Sequence, residues 1–483
     1  MDSDKVTFRA VAVQILATFS IAFLAALSGL LYSWPSYNVA NFVSNETVLA
    51  EPMDSVQISL LGSVLNIGTF FLTPLVGWVM NKIGRKYTMI CTGLPFVIGW
   101  SIIYINKSVV GVIVAMAIGG CGTAGQAAGT IFVSEIAHVS IRGALTSSIL
   151  IIYFLGVLVS YAVGGYLSYF QIIYMQLTLA VLNIVMLSLL KDSPVYLLQK
   201  GREKEAAESL AFYRQTSPTS NQVKMELYNI KSQLDSTPAK AVDEGGDPTV
   251  TKELLDTPKR KNLSEWQFLK QSPSSTRAFI ISLIVMAIMV LMGNMPLQVY
   301  AESLFREAVP SSDANKCSVW LAVDFVAATV MCSLIIDRLG RKVITIFTCA
   351  GASVCTVILG TLIQFQWAPE WFTMFMLYLY NFLFNMGIAV IPYVLIGEFF
   401  LPEVRSFCCS FTVSTGFGLN FVSTLIITLV MENYGFAPLF YGFSIVGFAG
   451  ALFALFYLPE TKGLSVEAIQ MLFLKKNRQK IES

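Results

Sequence analysis

Twelve apolar runs, each roughly 20 residues long or somewhat longer, leave few folds open to this chain. They lie near 10–34, 56–80, 87–105, 109–133, 143–167 and 171–190. Beyond a polar stretch they resume near 278–300, 317–336, 343–365, 371–396, 406–430 and 437–458. Runs of that length cross the hydrocarbon core of a bilayer as tilted helices. With 55% hydrophobic and 13% charged residues over 483 positions, no water-soluble core encloses so much apolar surface. The bilayer is therefore the expected solvent, and the expected fold class is an all-α membrane protein of twelve transmembrane helices. The first run is too long for a signal-peptide core and has no persuasive small-residue cleavage site, so it reads as the first span.

The chain then repeats itself. Its second span ends in Gly77-Trp78-Val79-Met80-Asn81-Lys82-Ile83-Gly84-Arg85-Lys86, and its eighth in Ser333-Leu334-Ile335-Ile336-Asp337-Arg338-Leu339-Gly340-Arg341-Lys342. The same basic turn after the second span of each half predicts a duplicated bundle. The expected organisation is two pseudo-symmetric six-helix halves, 1–190 and 278–460, joined by a cytoplasmic linker over 191–277 and followed by a tail over 461–483. Within the linker, residues 202–210 and 222–230 carry apolar residues at helical spacing between charges, so short helices beneath the bundle are expected there to clasp its halves. From Asp235 to Pro258, with Pro238, Gly245, Gly246 and Pro248, the linker reads as loose.

Basic residues give the orientation. With a cytoplasmic N-terminus, only Lys107, Arg306 and Lys316 of the 32 Lys and Arg fall outside, which predicts both termini inside a multi-pass protein of the cell membrane. The sequon Asn45-Glu46-Thr47 then falls in the first outer loop, where glycosylation of Asn45 is expected; Asn262-Leu263-Ser264 falls inside and should stay unmodified. A net charge of +2 suggests no nucleic-acid partner. Seven of eight cysteines lie in apolar runs, with Cys317 read as outside, and there is one histidine, His138. Neither a disulfide framework nor a metal site fits that inventory. No nucleophile–base set or phosphate loop suggests an enzyme, and no cofactor or metal is expected.

Charges near membrane depth are costly and so informative. Glu135 and Arg142 bracket the turn after the fourth span, and Glu398 and Arg405 bracket the matching turn after the tenth. Together with Asn81, Arg85, Asp337 and Arg341 they form two equivalent clusters. An ion-pair network made in one conformational state only would act there as a cytoplasmic gate. In the fourth span, Gly119, Gly120, Gly122, Gly125 and Gly129 offer a surface for close helix approach. His138 reads as an ordinary loop residue, and the basic run 475–480 as solvated or touching anionic lipid.

These motifs resemble the sugar porter family of the major facilitator superfamily and, within it, the insect facilitated trehalose transporters. Pro459-Glu460-Thr461-Lys462-Gly463 matches the family's PETKG. Asp337-Arg338-Leu339-Gly340-Arg341-Lys342 matches its basic turn, Asp192-Ser193-Pro194 with Tyr196-Leu197 matches most of PESPRYL, and the Glu135–Arg142 and Glu398–Arg405 turns match its gate motifs. The resemblance implies the major facilitator fold, alternating access and a sugar site midway between the halves. Departures cluster in that site. The family's helix-7 glutamines would fall on Met289-Val290, its helix-5 glutamine on Leu150, its helix-10 tryptophan on Tyr393 and its helix-11 pair on Gly416-Phe417. Asn81 replaces the usual acid, and Ala115 the arginine of the fourth helix.

Sugars require amides and hydroxyls for their hydroxyl groups and an aromatic face for their C–H surface. The candidates that remain are Asn294 and Gln298 in the seventh span, with Pro296 allowing a local break between them; Asn381 and Asn385 in the tenth, followed by Gly387, Pro392 and Tyr393; Asn420 in the eleventh; and Asp324 in the eighth. No acid stands between Phe8 and Asn45, where proton-coupled sugar porters place theirs. The expected function is facilitative uniport of trehalose or a hexose by a monomer whose partners are the sugar and the bilayer. Carriage of another small polar solute, proton symport and a non-conducting sugar sensor remain as alternatives.

Overall fold

The computed structural model describes residues 7–235, 265–464, 466 and 468–473. The sequon at Asn262, the loose part of the linker beyond Asp235 and the basic run 475–480 lie outside the described residues. Among the described residues twelve helices are long and apolar enough to cross a membrane, and they form two six-helix halves. The first half comprises Phe8–Val43, Ser55–Ile83, Arg85–Ile105, Val109–Ile136, Arg142–Gly164 and Tyr169–Ser188. The second comprises Pro273–Val299, Ala314–Leu339, Arg341–Phe365, Glu370–Phe399, Pro402–Tyr434 and Ala437–Phe456. The first span runs well past Trp34, and the seventh starts at Pro273, ahead of the apolar run that announced it. Cys317 lies inside the eighth span, in its first turn, and is buried rather than outside.

Local chemistry sets the helix starts. Asp54 Oδ1 accepts from Gln57 N at 2.7 Å while Gln57 Oε1 accepts from Asp54 N at 3.0 Å, a capping box opening the second span. Ser108 caps the fourth span and Asp313 the eighth in the same sense. Within the spans, hydroxyls have no water to bond and return to the preceding turn: Ser28 Oγ donates to Leu24 O at 3.0 Å, Ser33 Oγ to Gly29 O at 2.8 Å and Thr348 Oγ1 to Ile344 O at 2.9 Å.

The halves meet along two seams. The second span packs on the eleventh, where Ser414 Oγ donates to Phe70 O at 2.7 Å. The fifth packs on the eighth, where the rings of Phe154 and Phe325 stack with centroids 4.9 Å apart. Linker helices Pro194–Gln199, Glu203–Arg214 and Asn221–Asp235 attach to the first half. Buried Arg214 ties them on, pairing with Glu226 at 2.5 Å and donating to Ile136 O at 2.8 Å. Gln14 bridges the same joint, donating to Tyr213 O and accepting from His138 N. The helix Glu265–Gln271 instead packs against the eleventh span, with Trp266 against Phe407. The described linker pieces thus attach to one half each.

The glycines of the fourth span are contact points. A Cβ on Gly120 would collide with the carbonyl of Leu65, and one on Gly122 with Phe96. Gly120→Leu is therefore expected to separate the second and fourth spans and abolish the monodisperse peak in detergent size-exclusion chromatography. Gly143→Ala, with open space around its Cβ, should leave that peak unchanged.

Candidate functional site

Each repeated turn builds the same cluster. Gly84 has φ +100° and Gly340 φ +91°, a region that favours glycine, and each is approached so closely by a carboxylate that a Cβ would not fit. At the first turn that acid is Asp192, whose Oδ1 accepts from Arg85 N at 3.0 Å and Lys86 N at 3.1 Å. At the second it is Glu460, which accepts from Arg341 N at 3.0 Å and Lys342 N at 3.1 Å. Each acid therefore caps the N-terminus of the helix that follows, where orphan N–H groups and the helix dipole favour negative charge.

The arginines then reach sideways. Arg85 binds Glu135 through two bonds of 2.7 and 2.8 Å, and Arg341 binds Glu398 at 2.8 Å. A hydroxyl completes each set: Ser193 Oγ donates to Glu135, and Thr461 Oγ1 to Glu398 at 2.6 Å. Of the eight expected gate residues, four thus form two ion pairs, one inside each half and neither between the halves. Among the described residues, Asn81 and Arg142 are exposed with no side-chain bond, and Arg405 reaches only the carbonyl of Phe400, at 3.3 Å. The side chain of Asp337 lies outside the described residues. Asp192, Ser193, Glu460 and Thr461 were absent from the expected set. Their signal was available, since a carboxylate–hydroxyl pair follows the sixth span of each half.

Between the halves lies a cavity of about 460 Å³, within the range of about 300–1,000 Å³ usual for small-molecule sites. It is lined at mid-span by Tyr32, Tyr153, Asn294, Gln298, Asn385 and Asn420. It continues past Thr73, Gln126, Thr130, Thr146 and Ser333 toward the end that carries the basic turns. At the opposite end the halves are laced together. Tyr161 OH donates to Gln298 O at 2.5 Å, Tyr300 OH to Ile58 O at 3.2 Å, and Glu302 N to Ser36 Oγ at 3.1 Å.

Two helix breaks shape the wall. The seventh span stops at Leu291 and restarts at Asn294, turning at Gly293 with φ +84° rather than at Pro296. Tyr380 OH donates at 2.5 Å to the Met292 carbonyl, whose helical partner four residues on would be Pro296, which has no N–H. The tenth span breaks between Met386 and Ile391, beside Gly387 and Pro392.

Of the expected binding residues, Asn294, Gln298, Asn385, Tyr393 and Asn420 line the cavity. Asn381 and Asp324 do not; they bond to each other at 2.6 Å behind the wall, between the tenth and eighth spans. Asn294, Asn385 and Asn420 each keep a buried side-chain oxygen without a partner among the described residues, and Gln298 is held by Tyr153 at 3.1 Å. Leu150, Met289 and Phe417, standing where the sugar porter pattern has polar residues or the helix-11 tryptophan, also line the cavity.

These features define a two-half membrane carrier of the major facilitator fold. A family model described as sugar (and other) transporter matches residues 6–473, and the chain belongs to that family. It is a transporter, not an enzyme. It is 24% identical over 468 residues to the facilitated trehalose transporter Tret1 of Polypedilum vanderplanki, covering 95% of this chain and 87% of that one. It is 26% identical to the Bombyx mori protein of the same name over 426 residues, covering 86% and 79%. Among solved structures, the xylose transporter XylE from E. coli in a partially occluded inward-open conformation superposes with a TM-score of 0.73 at 19% identity, covering 93% of this chain and 99% of that one. The human organic anion transporter MFSD10 superposes at 0.58 with 13% identity, covering 92% and 99%.

Removing one partner of a buried ion pair strands the other charge. Arg85 and Glu135 side chains are 5% and 13% exposed, so Glu135→Ala is expected to destabilise the protein by about 3 kcal/mol. Asn81→Ala should stay within about 0.5 kcal/mol; chemical unfolding in detergent micelles reads both.

Proposed function

We propose that the chain is a uniporter that moves trehalose or a hexose down its gradient by rocking 1–190 against 278–460 about the central cavity. The observation that carries this reading is the trio of unpartnered amide oxygens of Asn294, Asn385 and Asn420 at the wall. A buried acceptor left unsatisfied costs about 1–3 kcal/mol, and a sugar hydroxyl donates to it. Tyr393, 46% exposed, offers a ring face beside them. The insect relatives' name supplies trehalose as the first substrate to try. Uniport is supported by the absence of any acid in the first span and by the position of Asp324 behind the wall rather than in the cavity.

A monomer is the proposed working unit, since the two halves that wall the cavity belong to a single chain. The lysine and arginine bias supports cytoplasmic termini, and in a plasma membrane with that orientation the cavity opens inward. On that orientation exposed Asn45 is a glycan acceptor. Digestion with an N-glycosidase should shift the mobility of the wild type and not of Asn45→Gln.

The decisive test is uptake of radiolabelled trehalose and glucose into oocytes expressing the chain. Saturable uptake independent of outside pH is expected. Asn385→Leu and Asn420→Leu should each raise KM by about tenfold, the loss of one hydrogen bond. No uptake despite confirmed surface expression overturns the reading.

A further inference from the structure

The wall of the cavity changes character with depth. The basic turns mark one end of each span, so position along a helix gives depth at about 1.5 Å per residue. On the side away from those turns stand the amides Asn294, Asn385 and Asn420. One to about three helical turns nearer the basic end, the same three helices line the cavity with Val290, with Val390 and Val394, and with Phe417 and Val413. Leu150 of the fifth span joins them from the opposite half. Polar residues return toward the mouth, with Gln126, Thr130, Thr146 and Ser333.

An apolar collar therefore separates the amides from the mouth. From Asn420 to Val413 the eleventh span rises about 10 Å, room for a ring or a short alkyl chain. The hydroxyls of Thr73, Thr123 and Thr329, also at the wall, donate to carbonyls of their own helices at 2.7, 2.7 and 2.8 Å. Tyr393 adds a half-exposed ring between Val390 and Val394. Among the described residues no charged side chain lines the cavity, so nothing there offsets the desolvation of an ionic substrate.

A hexose held by the three amides points its far end into this collar. Once the cavity closes, a second sugar ring there gives up water from its hydroxyls and finds few partners. An apolar group in the same place gains by leaving water. We propose that the cavity accepts a neutral glycoside, its hexose at the amides and an apolar aglycone in the collar, in preference to a bare hexose or a disaccharide. This rests on the cavity's being the sugar site and names the class of sugar derivative that fits it.

The test is uptake of radiolabelled glucose, trehalose and phenyl β-glucoside into oocytes expressing the full chain, with methyl and phenyl β-glucosides as competitors. Phenyl β-glucoside should enter saturably and compete about tenfold more strongly than the methyl compound. Leu150→Gln puts an amide into the collar and should bring that ratio close to one. Asn420→Leu should weaken both competitors alike and leave the ratio as it is, since it acts at the hexose end. If Leu150→Gln fails to reach the surface, Val413→Thr, which keeps the shape and adds a hydroxyl, should narrow the ratio in the same direction.

Equal competition by the two glucosides, or a ratio that neither collar variant moves, overturns the proposal and leaves the sugar site standing. Competition by phenyl β-glucoside without its uptake also overturns it, because the compound is then an inhibitor and not a substrate. Absence of saturable uptake of all three labelled compounds, with surface expression confirmed, overturns the sugar site as well.

Discussion

A backbone that crosses hydrocarbon has no water to bond, so it can leave the helix only where other groups take over its N–H and C=O. That constraint explains where this carrier keeps its chemistry. The seventh and tenth spans break, and both breaks sit on the cavity wall. The carbonyl of Met292, left without a helical donor because Pro296 has no N–H, receives the hydroxyl of Tyr380 from the tenth span. The carbonyl of Gln298, at the end of the short helix beyond the seventh-span break, receives Tyr161 from the opposite half. The same irregular backbone therefore aims amides at the cavity and laces the bundle shut at the far end.

The two halves obey one plan at their basic ends and different plans in the middle. At the ends, an acid caps the next helix, an arginine pairs with a glutamate from the turn after the fourth or tenth span, and a hydroxyl closes the set. The arrangement occurs once with Asp192 and Ser193 and once with Glu460 and Thr461. Each cluster binds three parts of its own half and so stiffens that half as a body. In the middle, the second half supplies Asn294, Asn385, Tyr393 and Asn420, whereas the first supplies Tyr32 and Tyr153 beside apolar Leu150. A carrier needs rigid bodies and an asymmetric site, and duplication followed by local divergence provides both.

Much of this could be read in the chain. The apolar runs marked all twelve spans, and the repeated turn marked the two halves. Of the amides spaced four apart beside glycine and proline, Asn294, Gln298 and Asn385 stand at the wall and Asn381 does not. Helix lengths were less legible, because Ser36 and Asn38 look polar in the sequence yet stay helical: the Asn38 amide bonds back to Trp34 O at 2.8 Å. The partners of the gate charges were less legible too. Arg142 and Arg405 share a motif with Glu135 and Glu398, yet each glutamate pairs with an arginine from another helix.

The sequence by itself determined what can be specified locally: which segments prefer lipid, where they turn, that the turn occurs twice, and which polar residues stand at membrane depth. Each follows from residue type and spacing, since transfer into hydrocarbon, a glycine at positive φ and helical periodicity depend on near neighbours alone. Tertiary structure alone decided which polar residues face the cavity and which face each other. Asn381 and Asn385 are one helical turn apart on the same helix, and nothing local distinguishes them. One is drawn behind the wall by a carboxylate from the eighth span, and the other is left at the surface of the cavity, because only packing brings a partner from far along the chain within bonding distance.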